Sequence, residues 1–227
     1  MNVNKNTTST SITLAVLAII FGGLLGWGVA NISVSNGMGS ALPLVGIGGS
    51  PIDQNLKFEE LVSVHNEAIV LYLQALYDKK DAIPAEKQLD SNSNQMANII
   101  TGKFGEAAGA EFLHMWRDHI KQHANYAKGL KINDGDKMQM SKQRLEQLAI
   151  EKGYLLHNLN QNINAEETAN LLNEHNVLIT SIIDSYAREG QENMINQINE
   201  SKNQSTKLAT YLANNLFSSS LSLTAPQ

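Results

Sequence analysis

The chain contains no cysteine among its 227 residues. That absence removes disulfides, thiolate metal ligands, iron–sulfur clusters and a cysteine nucleophile together. Any metal held here must rest on nitrogen, oxygen or methionine sulfur. Basic residues are also scarce, with 17 Lys and Arg against 22 Asp and Glu, for a formal net charge of −5. Without a basic cluster there is no electrostatic footprint for a phosphate backbone, which excludes nucleic acid as a partner. The phosphate-cradling P-loop, the dinucleotide glycine fingerprint, HExxH and GxSxG are missing as well. What remains points to a binding or interaction role more than to hydrolysis or nucleotide chemistry.

A different absence marks the amino terminus. After a polar tail, residues 1–11, which carries Lys5 as its one charge, the run from Ile12 to Ala30 has no charged residue over 19 positions. About 20 such residues span a bilayer, so 12–30 is expected to be a transmembrane anchor, with a cleaved signal peptide as the alternative. Lys5 precedes the run and no Lys or Arg follows it until Lys57. This asymmetry places the short tail in the cytoplasm and the bulk of a single-pass membrane protein outside it. Residues 31–56, rich in Gly and Ser and carrying Pro43 and Pro51, read as a flexible linker, and the Ser-rich residues 218–227 as a disordered tail.

From Lys57 to Phe217 the apolar residues recur at helical spacing, which predicts an all-α, up-and-down bundle of about six helices. Pro84 suits the first turn of the second helix. Gly102 and Gly105 punctuate before the third, and INDGD (132–136), Asn160–Asn164 and Gly190 separate the rest. In the third helix Phe112, Met115, Trp116, His119, His123, Tyr126 and Leu130 share one face. In the first, Leu61, His65, Ala68, Tyr72, Ala75 and Leu76 do so, and in the fifth Leu171, His175, Leu178, Ile182 and Tyr186. Each of these three stripes therefore has a histidine at its centre. The spacings are 54 residues from His65 to His119 and 56 from His119 to His175, the signature of a repeated helix pair. If successive helices alternate in direction, the first, third and fifth are parallel and the three rings meet at one level.

Three unpaired imidazoles in a core each cost about 1–3 kcal/mol of desolvation, which a shared ligand would relieve. His65, His119 and His175 are thus the expected metal ligands, with His123, one turn from His119, as the fourth. Imidazole suits a transition metal, copper or zinc foremost. In the contrary reading the histidines hydrogen-bond within the core, and the domain is a structural module that meets a membrane-protein partner or a second copy of itself. An oxidative metalloenzyme ranks below both, because the inward carboxylates such sites use are not evident. The EFLH run, Glu111 to His114, matches half of a di-iron signature but lies off the stripe. His157 lies beside the stripe of its own helix and is expected to be exposed.

The run FGEAAGAEFLHMWRDHI, together with HNEAI in the first helix and LLNEHNVLI in the fifth, resembles a family of small helical proteins from bacteria and archaea. Its pattern is a histidine, then FG-x-x-AG-x-x-F-x-x-LW-x-x-HI, then leucines before a third histidine. The resemblance covers about Phe58 to Leu216. It implies a role for the three histidines and carries no settled activity. Some relatives place a further histidine in the last helix, where this chain reads NESKNQSTK.

Overall fold

The computed structural model describes residues 51–189 and 194–217, and these form six α-helices with no strand among the described residues. They are α1 (Pro51–Asp78), α2 (Ile83–Phe104), α3 (Glu106–Ile132), α4 (Gly135–Leu159), α5 (Ala165–Glu189) and α6 (Ile195–Phe217). No helix among them is long and apolar enough to cross a membrane. The expected anchor (12–30), its cytoplasmic tail and the carboxy-terminal tail (218–227) lie outside the described residues, as does the linker up to residue 50. The last part of that linker is corrected, because α1 starts at Pro51 and not at Lys57. A proline fits a first helical turn, where its missing N–H is needed by nothing.

Local chemistry explains the other boundaries. Gly102 does not interrupt α2; Gly105 alone separates α2 from α3, with φ +93° and its N–H donated to Thr101 O at 2.9 Å. That left-handed region suits glycine, so one residue ends one helix and opens the next. Asn133, at φ 57°, closes α3, and the Asp134 side chain accepts from Lys137 N to cap α4. Capping chemistry thus compresses the expected break at 132–136 to two residues between helices. Asn164 Oδ1 takes the same role before α5, accepting from Glu167 N at 2.9 Å.

The helix directions follow from which residues meet. Between α1 and α3 the meeting pairs are Phe58 with Phe112, His65 with His119 and Tyr77 with Lys131, a constant offset of 54 residues. A constant difference means parallel helices in register. Between α1 and α5, His65 meets His175 and Asp78 meets Tyr186, which is parallel again. Pairs on α1 and α6 run the other way: Phe58 with Phe217 and Asn66 with Ser201, while Gln74 meets Met194, the residue just ahead of α6. The bundle is therefore up-and-down, with α1, α3 and α5 parallel.

Each of α1, α3 and α5 packs on the other two, while α2, α4 and α6 each pack on the two inner helices that flank them. The result is a pseudo-threefold arrangement of three helix pairs, closed by α6 against α1. A repeated unit of 54 to 56 residues becomes three units around one axis. Two apolar clusters fill the interior. One contains Phe58, Phe112, Trp116, Leu171, Leu212 and Phe217, and the other Ile69, Leu73, Tyr126, Ile179 and Ile183. Along each inner helix the histidine falls between the residues of the two clusters, so a polar layer is held between two apolar ones. Burial of those layers supplies the stabilisation that an imidazole layer alone would not.

Candidate metal centre

Each inner helix delivers its histidine to the axis because its apolar stripe faces the axis. His65, His119 and His175 are 1%, 1% and 4% exposed, and His123 is fully buried. Ring centroids are 5.6 Å apart for His65 and His119, 5.6 Å for His119 and His175, and 6.2 Å for His65 and His175. One nitrogen from each of the three lies within 4.8 Å of the others, close enough to hold a metal ion. Around one ion at about 2.1 Å, three nitrogens stand roughly 3.6 Å apart at most, so binding asks the rings to close by about an ångström.

Hydrogen bonds set how the rings stand. The Trp116 indole N–H donates to His65 Nδ1 at 3.2 Å. Asn176 Nδ2 donates to Leu145 O at 3.1 Å, which turns its Oδ1 toward His123 Nε2 at 3.3 Å. His123 Nε2 is therefore the donor, and the neighbouring His119 Nε2, at 3.1 Å, accepts from it. His123 is not one of the three nitrogens gathered within 4.8 Å. It joins the centre through His119, because it sits one turn further along α3 and its Nε2 is committed to Asn176. The expected fourth donor is thus a neighbour of the triad.

A neutral imidazole has one bare and one protonated nitrogen. Accepting from Trp116 leaves the proton of His65 on Nε2, and accepting from His123 leaves that of His119 on Nδ1. A metal bound through those two nitrogens requires the protons to move and both bonds to be given up. His119 Nδ1, His123 Nδ1 and His175 Nδ1 are buried with no protein hydrogen-bond partner. Burial is the largest influence on all four rings and favours their neutral forms. It holds His65, His119 and His123 well below the usual histidine value, with mutual repulsion and Lys152 adding to the effect, and brings His175 down to about 3. At neutral pH the cage is a set of uncharged imidazoles, the state in which the ring binds metal.

The outer helices supply residues that the helical pattern had not singled out. Asn92 on α2 donates to Leu61 O, and Gln204 on α6 donates to Leu171 O, in each case the carbonyl one turn before the histidine. Lys152 on α4 lies at the same level, its Nζ 4.4 Å from the centre of the Trp116 ring. All three are buried; Gln204 Oε1 has no protein partner, whereas Asn92 interacts with the His65 ring and favours its protonated form against the effect of burial. Desolvation brings the Lys152 amine down to about 7, against a weaker pull upward from Asp118. A signal for Lys152 exists in the sequence, because 145, 149, 152 and 156 form one helical stripe in which only position 152 is polar. The His–Asn doublets at 65–66 and 175–176 are the corresponding signal for Asn176.

Glu111 and His114 are exposed, as their place off the stripe implies, so the EFLH run takes no part in the centre. His157 is half-buried instead of exposed, because the turn after α4 folds over it and its Nδ1 donates to Ile163 O at 2.6 Å. Asp118 accepts from Arg144 and Gln122, and Glu174 stands 3.9 Å from Lys207 on the surface. Among the described residues no carboxylate joins the three histidines.

A class of protein follows from fold and site: an all-α bundle of three helix pairs around a buried histidine cage. No family model, no curated protein and no solved structure matches the chain.

Proposed function

We propose that this protein is a membrane-anchored, extracytoplasmic helical bundle that binds one transition-metal ion through His65, His119 and His175, and that it handles the metal without turning over a substrate. The observation that carries this reading is the gathering of one nitrogen from each of His65, His119 and His175 within 4.8 Å of one another where three buried helix faces meet. A core that used these histidines only as hydrogen-bonding residues would leave His119 Nδ1, His123 Nδ1 and His175 Nδ1 unsatisfied, each costing about 1–3 kcal/mol. The Trp116 and Asn176 bonds favour that second reading, a structural or interaction module, yet they satisfy only one nitrogen apiece. The resemblance to small helical bacterial and archaeal proteins supports the same three histidines. The uncharged run at 12–30 supports the anchor, and Lys5 ahead of it the extracytoplasmic placement.

His119→Ala is the test. Metal should raise the melting temperature of the wild type and not of the variant, since a ligand of the native state stabilises by mass action. Elemental analysis of the natively purified protein should find about one metal per chain. No shift with copper, zinc, nickel or iron at neutral pH would leave the interaction module as the better account. For the topology, protease added to intact cells should digest the bundle; protection until the membrane is breached would reverse the orientation.

A further inference from the structure

The charge around the cage narrows the ion it can take. All three donors are neutral imidazoles, and among the described residues no acid stands with them. The two acids adjacent in sequence face away: Asp118 is held by Arg144 at 2.9 Å, and Glu174 is exposed. Among the described residues, Lys152 is the one buried side chain of the Lys, Arg, Asp and Glu set, and it is a base. Its Nζ stands 4.4 Å from the centre of the Trp116 ring, whose indole N–H bonds to the ligand candidate His65. Whether charged or neutral, it adds no negative charge to the centre.

Solvation scales with the square of the charge, so bringing a dication into this interior costs about four times what a monocation costs. An ammonium at the wall repels the dication twice as strongly. Divalent zinc, cobalt and nickel meet these costs elsewhere with carboxylates, thiolates or a bound water as a further ligand. A closed-shell monovalent ion is satisfied by three soft or borderline donors and carries half the charge. We infer that the cage is a site for monovalent copper, Cu(I), and that Lys152 discriminates against divalent ions. This rests on the metal-centre reading above.

The purified full-length protein is titrated anaerobically with Cu(I) against a chromophoric Cu(I) chelator, and separately with Zn(II) and Co(II). Wild type should retain one Cu(I) and gain melting temperature with it, should gain little with Zn(II) or Co(II), and should stay silent by electron paramagnetic resonance after exposure to air. Lys152→Met, with Lys152→Gln as a second variant should the first not fold, should raise Zn(II) affinity relative to Cu(I) by about tenfold or more. Equal stabilisation of the wild type by Zn(II) or Co(II), or a Cu(II) signal appearing in air, overturns the inference and leaves the metal centre standing. An unchanged Cu(I) to Zn(II) ratio in both variants overturns the part given to Lys152. Failure of every ion to bind overturns the metal centre itself.

Discussion

The ionisable residues of the core make stability depend on pH in two separate windows. Four histidines have folded values below 6.5, so as pH falls through 6.5 the unfolded chain takes up protons that the folded chain refuses. Stability is present above that value and is lost below it, at up to about 1.4 kcal/mol per pH unit for each histidine. Denaturant titrations of the metal-free protein from pH 7 to pH 4 should show this fall, and replacing one ring, as in His123→Gln, should remove about one proton from its slope. Lys152 acts in the alkaline window. Its folded value of about 7 lies below the ordinary 10.5, so stability should rise with pH between the two, where only the unfolded chain keeps the proton. Lys152→Met should therefore be more stable than wild type at pH 7, by a margin that shrinks as pH approaches 10.5. A margin independent of pH would mean that the amine is charged in the folded core.

At the scale of helices, much of the arrangement could be read from spacing, and the exceptions have identifiable causes. Phe112, Trp116, His119 and Tyr126 face inward because a 3.6-residue period leaves them no other face, and the repeat of His65, His119 and His175 announced parallel helices in register. Lys152 escaped because a charged residue inside an apolar stripe reads as an interruption, although its place in the stripe of 145, 149 and 156 pointed inward and its burial against Trp116 bears that out. His157 escaped for the opposite reason, since a turn covering it cannot be seen in the period of its own helix. Close approach is similarly hidden. A Cβ built on Gly153 of α4 would collide with the backbone carbonyl of Ala165, where α5 begins. Backbone cannot step aside as a side chain can, so Gly153→Ala should destabilise by up to about 2 kcal/mol, the overpacking cost of about 1–3 kcal/mol less the roughly 1 kcal/mol that alanine gains in a helix. A stabilising outcome in a melting experiment would show that α4 and α5 can slide apart at no cost.

For the whole molecule, the pseudo-threefold order makes the three axial histidines equivalent in a way no single helix reveals. Alanine at 65, 119 or 175 should weaken metal binding to a similar degree, whereas His123→Ala should weaken it less, because His123 reaches the centre only through His119. Affinities of the four variants measured side by side would show this, and a His123 effect as large as the others would make the site four-coordinate. The same order closes the bundle on itself. Phe58, early in α1, touches Phe217, the last residue of α6, with ring centroids 5.6 Å apart. The start and finish of the domain therefore stand at the same rim. A short peptide could join Phe217 to Pro51, and the backbone could be reopened at Gly105 without cutting a helix. Such a circular permutant would keep every neighbour relation around the axis, so the order in which the three helix pairs are written along the polypeptide is interchangeable as far as the cage is concerned.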